Sequence, residues 1–199
     1  MDLTHPTLLD TLWPQAAGRR AWRNLALALV ATMALTVSAK LQIPFWPVPL
    51  TMQTFVVLVI GAAFGWRLGT ATLLLYLAEG ALGLPVFAGT PARGVGLAYM
   101  SGPTGGYLVG FVAGAALCGW LAERGWDRSA WRTAVAMALG HLLILALGWA
   151  WLAKLIGAEK AYAAGVAPFY VATVVKTALA VAVLPLVWRV LSRRPPAAR

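Results

Sequence analysis

Lys176 carries the strongest chemical signal in this chain, an ammonium about nine residues into an otherwise apolar helical run. Placing such a charge in hydrocarbon costs roughly 2.5–3.5 kcal/mol on insertion scales, so it needs a partner or a purpose. It can hold a ligand carboxylate or another acceptor, or it can snorkel outward or pair with Glu79 for structure alone. Arg93 is the second candidate, because a guanidinium fork grips a carboxylate bidentately. It is either part of a lid over an acid or a solvated loop arginine, and Gly94 beside it is grouped with it as a ligand-contacting position. Gln53 offers an amide donor and acceptor, and Tyr107 an aromatic face and a hydroxyl. Glu79, near a helix end, is read as a supporting partner of Lys176, Arg93 or Lys40, one layer behind the ligand.

Most of these groups need a scaffold that bends the backbone inside an apolar setting. Residues Gly83 to Phe111 read GLPVFAGTPARGVGLAYMSGPTGGYLVGF, a Gly- and Pro-punctuated stretch between long, nearly uncharged runs. Irregular backbone near membrane depth survives only where it is buried in protein or lines a cavity, so this stretch is expected to shape the site.

Composition fixes the solvent. With 61% hydrophobic and 11% charged residues over 199 positions, and a mean hydropathy of +0.77, the chain is an integral membrane protein rather than a soluble domain. The net charge of +10 does not mark a nucleic-acid binder, since the basic residues sit at the ends of apolar runs instead of on one face. Cys118 lies alone within such a run and is read as packing. The residues before Trp22 lack an apolar core with a small-residue cleavage site, so no removable signal peptide is expected.

At about 20 residues per span, helices are expected near 22–40, 52–65, 67–80, 104–123, 130–153 and 168–190. The fold class is an all-α membrane bundle of six helices, between a tail at 1–21 and a basic tail at 192–199. The second and third helices are short and meet at Gly65-Trp66-Arg67. Orientation follows the positive-inside rule. One side holds Arg19, Arg20, Arg23, Arg67, Arg124, Arg128, Arg132, Arg189, Arg193, Arg194 and Arg199; the other holds Lys40, Arg93, Lys154 and Lys160. Eleven against four puts both termini in the cytoplasm and the segment with Arg93 outside.

Small residues let helices approach closely in lipid. Gly106, Gly110 and Gly114 form such a stripe, read as internal packing, and Gly61, Gly65 and Gly69 another. Ala28, Ala31 and Ala34 on the first helix are either internal packing or a face for a partner membrane protein. Trp46, between prolines, is read as an interfacial aromatic. An intramembrane hydrolase would need Ser101 and His141 in contact. Their expected depths separate them, and Tyr99 stands where a GxSG motif needs glycine. No G-x-x-x-x-G-K-[ST] occurs, so no phosphate-cradling loop of that kind is present. No metal site is expected.

Three stretches carry a family resemblance. GLPVFAG followed by GPTGGY, VPLTMQT at Val48 to Thr54 and PFYVATVVK at Pro168 to Lys176 are similar to the BioY family, the biotin-binding (S) subunits of energy-coupling-factor vitamin transporters. The resemblance implies a multi-pass protein of the bacterial cytoplasmic membrane whose 22–191 region binds biotin from outside. It implies a transmembrane coupling (T) subunit and two ABC-type ATPases as partners, a homo-oligomer if the chain works alone, and no nucleic acid. No cofactor is expected on this chain; ATP is used by the partner ATPases. Lys176 matches the family's ligand-binding lysine. Two departures stand out. Many relatives place an Asp where this chain has Thr173, one turn before the lysine, and some place an Arg where it has Leu108. Thr173 with Lys176 would meet the urea end or the carboxylate, and Arg93 would close on the acid. An S subunit for a different vitamin remains the alternative reading.

Overall fold

A computed structural model describes residues 5–14, 20–43 and 46–192. Arg19, Arg193, Arg194 and Arg199, with the outermost parts of both tails, lie outside the described residues. Among the described residues the protein is mostly helical, and five helices there are long and apolar enough to cross a membrane. These are α2 (Arg20–Lys40), α3 (Gln53–Ala81), α5 (Gly105–Ala122), α6 (Ala130–Ile156) and α8 (Phe169–Ser192). Shorter helices α1 (Leu8–Leu12), α4 (Gly96–Met100) and α7 (Ala158–Gly165) join them, with a small hairpin of β1 (Gln42–Ile43) and β2 (Leu50–Thr51). None of these short elements was expected from the sequence.

The second and third expected helices form α3, which breaks at Gly65, where φ is 79° and ψ 171°. A side chain is strained at that positive φ, and glycine is not. The two arms, 53–64 and 66–81, fold back on each other. A Cβ added at Gly69 would lie 3.0 Å from the Gly61 Cα, although eight residues separate them. At the far end of the arms, Gln53 Nε2 donates to the Tyr76 hydroxyl at 2.7 Å.

Helix α5 is the hub. Its Gly110 lets α6 approach until a Cβ there would meet the Ile144 Cα at 2.8 Å, and Gly114 sits against Ile144 and Leu58. The glycine stripe is therefore internal packing, as read from its spacing. Cys118 is buried in the same core, its Sγ 3.4 Å from the Ala136 carbonyl.

The alanine stripe on α2 is corrected. Ala28 and Ala31 are buried, whereas Ala34 is exposed, so the three do not share one free face. Steps of three residues rotate around a helix of 3.6 residues per turn, which carries Ala34 off the buried side.

At the basic end, α1 tucks beneath the bundle. The Thr7 side chain caps it by accepting from the Asp10 N–H at 3.2 Å. Buried Arg23 then ties α1 to α2 through Asp10 Oδ1 at 3.2 Å and the Trp13 carbonyl at 2.6 Å.

Candidate functional site

At the opposite end, a cavity opens with about 450 Å³ of non-atom space, its mouth included. Fourteen of the described residues line it; eleven belong to the three stretches that carried the resemblance, and Tyr99, Leu108 and Phe111 lie elsewhere in the Gly-rich segment from Gly83 to Phe111. Val48, Pro49, Thr51, Gln53 and Thr54 come from the β2–α3 junction. Phe87, Ala88, Tyr99, Thr104, Tyr107, Leu108 and Phe111 come from the Gly-rich segment and the start of α5, and Phe169 and Lys176 from α8. The walls are apolar and aromatic with a few polar groups, the usual make-up of a small-molecule site.

Lys176 is buried, with 5% of its surface exposed. Its Nζ donates to the Thr51 carbonyl at 2.5 Å and to Thr54 Oγ1 at 3.0 Å. An ammonium has three donors, and two are used among the described residues, which leaves one for a ligand. No carboxylate lies within ion-pair distance of it among the described residues. The alternative pairing of Lys176 with Glu79 is not formed: Glu79 Oε1 instead accepts from Thr32 Oγ1 at 2.9 Å, joining α3 to α2. Lys40 is also engaged elsewhere. Its Nζ donates to the Phe87 and Thr90 carbonyls at 2.9 and 3.0 Å, clamping the loop that carries the cavity wall.

The aromatic wall is built as a unit. Phe87 stacks on Tyr99 with ring centres 5.0 Å apart, and Tyr76 meets Phe87 edge-on at 5.4 Å. The Tyr99 hydroxyl donates to the Ala88 carbonyl at 2.8 Å. Burial pushes its pKa above the ordinary phenol range, so it stays a neutral donor. Tyr107 stacks with Phe169 at 6.2 Å and donates to the Gly165 carbonyl at 2.7 Å, which ties α5 to the end of α7. Gln53 gives its amide N–H to Tyr76, which passes a hydrogen bond on to the Val86 carbonyl at 2.7 Å.

Lys176, Gln53 and Tyr107 thus meet at one cavity. Arg93, Gly94 and Thr173 do not line it. Arg93 lies over the Trp46 ring at 5.9 Å, donates to the Pro47 carbonyl at 3.3 Å, and borders a second cavity that shares Tyr99 and Thr104 with the first. Gly94 is exposed in its loop, and Thr173 is half-buried one turn before Lys176. Thr51, Thr54, Phe87, Tyr99, Thr104 and Phe169 were not singled out, though all sit inside the quoted stretches.

Ser101 and His141 are not assembled into a catalytic pair. Ser101 Oγ donates to the Leu97 carbonyl at 2.9 Å, while buried His141 sits 2.9 Å from the Met137 carbonyl and 3.4 Å from Thr177. No group of His, Cys, Asp and Glu able to hold a metal occurs among the described residues.

Known proteins share both fold and sequence. The "Probable biotin transporter BioY" of Pyrococcus horikoshii is 37% identical over 159 residues, covering 80% of this chain and 92% of that protein. The "Biotin transporter BioY" of Thermotoga maritima is 41% identical over 126 residues, 63% of this chain and 72% of that one. A crystal structure of the S-component for biotin from an ECF-type ABC transporter superposes with a TM-score of 0.72 at 21% identity, over 90% of this chain and 96% of that one; it shares the fold. The family model named BioY matches residues 11–193, a range holding all three stretches and the whole cavity wall, and the chain belongs to the BioY family.

Proposed function

We propose that this protein takes up biotin across a cell membrane as the substrate-binding subunit of an energy-coupling-factor transporter. The observation that carries the reading is Lys176, a buried cation with neutral partners and one donor to spare, in an apolar cavity of a BioY-family chain. A bicyclic vitamin with a polar head and an acid tail suits such a cavity. Its rings would pack on Tyr107, Phe169 and Phe87, while Lys176 and Gln53 would meet polar atoms. Thr173, on the same face of α8 one turn away, would add a hydroxyl to the head. Arg93, across Tyr99 and Thr104 from the cavity, would close on the acid with Gly94 giving its loop room to move.

The finer architecture is part of the same proposal. The arms 53–64 and 66–81 would each cross the bilayer, giving six crossings. At 1.5 Å per residue they measure only about 18 and 24 Å, so the bilayer would thin around them or flanking residues would snorkel. The excess of Arg at the end away from the cavity would set both termini in the cytoplasm, so the tail at 1–21 would be cytoplasmic and the cavity would open outward. A coupling subunit and two ATPases would then drive reorientation and inward release, with ATP used by the ATPases and none by this chain.

Equilibrium binding tests the reading, with purified protein, labelled biotin, and thiamine, riboflavin and desthiobiotin as competitors. Tight biotin binding resisted by thiamine and riboflavin is expected. Displacement by another vitamin, or no biotin binding by folded protein, would turn the assignment to a different vitamin.

A further inference from the structure

The end remote from the cavity holds a two-part surface that the uptake reading does not use. Trp66, at the corner of α3, and Trp120, near the end of α5, flank a shallow open groove floored by Ala116 and Leu117, with about 680 Å³ of non-atom space, open solvent included. Both indoles are substantially exposed, at 41% and 44%. The same two tryptophans also line a wider polar cavity that contains Arg67, Arg124 and Glu123. The guanidinium of Arg67 lies 5.2 Å from the Trp66 ring centre and that of Arg124 lies 3.5 Å from the Trp120 ring centre. The apolar depression therefore borders a polar cavity that holds the guanidinium groups of Arg67 and Arg124 together with the carboxylates of Asp10 and Glu123. Trp and Arg at such a boundary mark the depth of lipid headgroups.

Charge selects the occupant. Across the two polar cavities at this end, Arg20, Arg23, Arg67 and Arg124 face the carboxylates of Asp10 and Glu123, an excess of two positive charges. The acids are committed: Asp10 lies 3.2 Å from Arg23, and Glu123 Oε1 accepts the Trp66 backbone N–H at 3.1 Å. Arg67 and Arg124 lie over rings, and Arg124 Nη1 donates to the Trp120 carbonyl at 3.0 Å; the remaining guanidinium N–H groups face the cavity for a phosphate. We propose that Trp66, Trp120, Arg67 and Arg124 form a docking site for an anionic phospholipid, with one acyl chain in the groove and the phosphate at the two guanidinium groups. Basic pockets between membrane helices are general binding places for such headgroups. The site lies at the opposite end from the vitamin cavity and shares no residue with it.

Native mass spectrometry of the full chain, delipidated and titrated with phosphatidylglycerol or phosphatidylcholine, tests this. Phosphatidylglycerol should bind in preference to phosphatidylcholine. Arg67→Gln with Arg124→Gln should weaken it roughly thirty-fold, from about one basic-residue contribution each. Ala116→Trp, which fills the groove and leaves the charges, should weaken it independently, and sn-glycerol 3-phosphate without chains should not compete. Equal binding of the two lipids, or undiminished phosphatidylglycerol binding in either variant, would overturn the proposal. Melting curves of each variant in detergent confirm that lost binding is not lost folding.

Discussion

Two buried cations, one at each end of the bundle, have opposite surroundings. Arg23 is 8% exposed and faces a carboxylate, a carbonyl and the Asn24 amide oxygen. Lys176 is 5% exposed and, among the described residues, faces only a carbonyl and a hydroxyl. A buried charge is costly unless it is paired and hydrogen-bonded. Arg23 meets that condition within the protein and pins α1 to α2. Lys176 meets it only in part, and the shortfall is aimed into a cavity. Burial of a charge thus does not separate structural from ligand-binding residues; the identity of its partners does.

Removing each cation should break the comparison in opposite ways. Lys176→Met keeps volume and removes the charge, so biotin affinity should fall at least about thirty-fold while thermal stability holds or rises. Equilibrium binding and melting in detergent measure the two effects. Arg23→Ala should do the reverse, lowering stability by about 1–3 kcal/mol with biotin affinity unchanged. The lower part of that range is favoured by Asp10, whose side chain is 37% exposed and can be rehydrated.

Much of this contrast was legible in the sequence. An ammonium inside an apolar run announces itself through its insertion cost, and Lys176 is where that cost falls. The three stretches that carry the resemblance hold most of the cavity wall, and the Gly- and Pro-punctuated segment from Gly83 to Phe111 holds the rest, Tyr99, Leu108 and Phe111. Partner choice was not legible. Glu79 is one of few acids in the chain, and pairing it with Lys176 was reasonable by charge, yet it bonds Thr32 on the neighbouring helix. The Thr51 carbonyl could not have been foreseen, since β1 and β2 are two residues each and carry no strand pattern. The α2 alanines misled because spacing alone does not tell which side of a helix a neighbour covers. Arg93 was assigned by type and segment, and only the fold shows it separated from the cavity by Tyr99 and Thr104.

A third change sharpens the picture of the cavity end. Tyr76→Phe removes the acceptor of the Gln53 amide and the donor to Val86 in one step. Stability should fall by about 1–2 kcal/mol and biotin affinity by roughly three- to tenfold, less than for Lys176→Met. Binding isotherms on both variants rank them. The smallest effect concerns Asp127 at the basic end, whose Oδ2 accepts from Trp188 Nε1 at 2.5 Å while Oδ1 is buried without a partner among the described residues. Burial raises its pKa above the ordinary 3.8. A raised carboxyl pKa means that the folded state holds the proton more tightly. Its contribution to stability is therefore present at low pH and is lost as pH climbs from 3.8 through the folded value. Melting temperature followed across that acid range should show the decline in the parent and a flatter curve in Asp127→Asn.

A structure of the protein with biotin bound tests the central claim most directly. A polar atom of biotin within hydrogen-bond distance of Lys176 Nζ, with the rings between Tyr107, Phe169 and Phe87, is the predicted result. Biotin found elsewhere, or in the cavity with Lys176 still bonded only to Thr51 and Thr54, would contradict it.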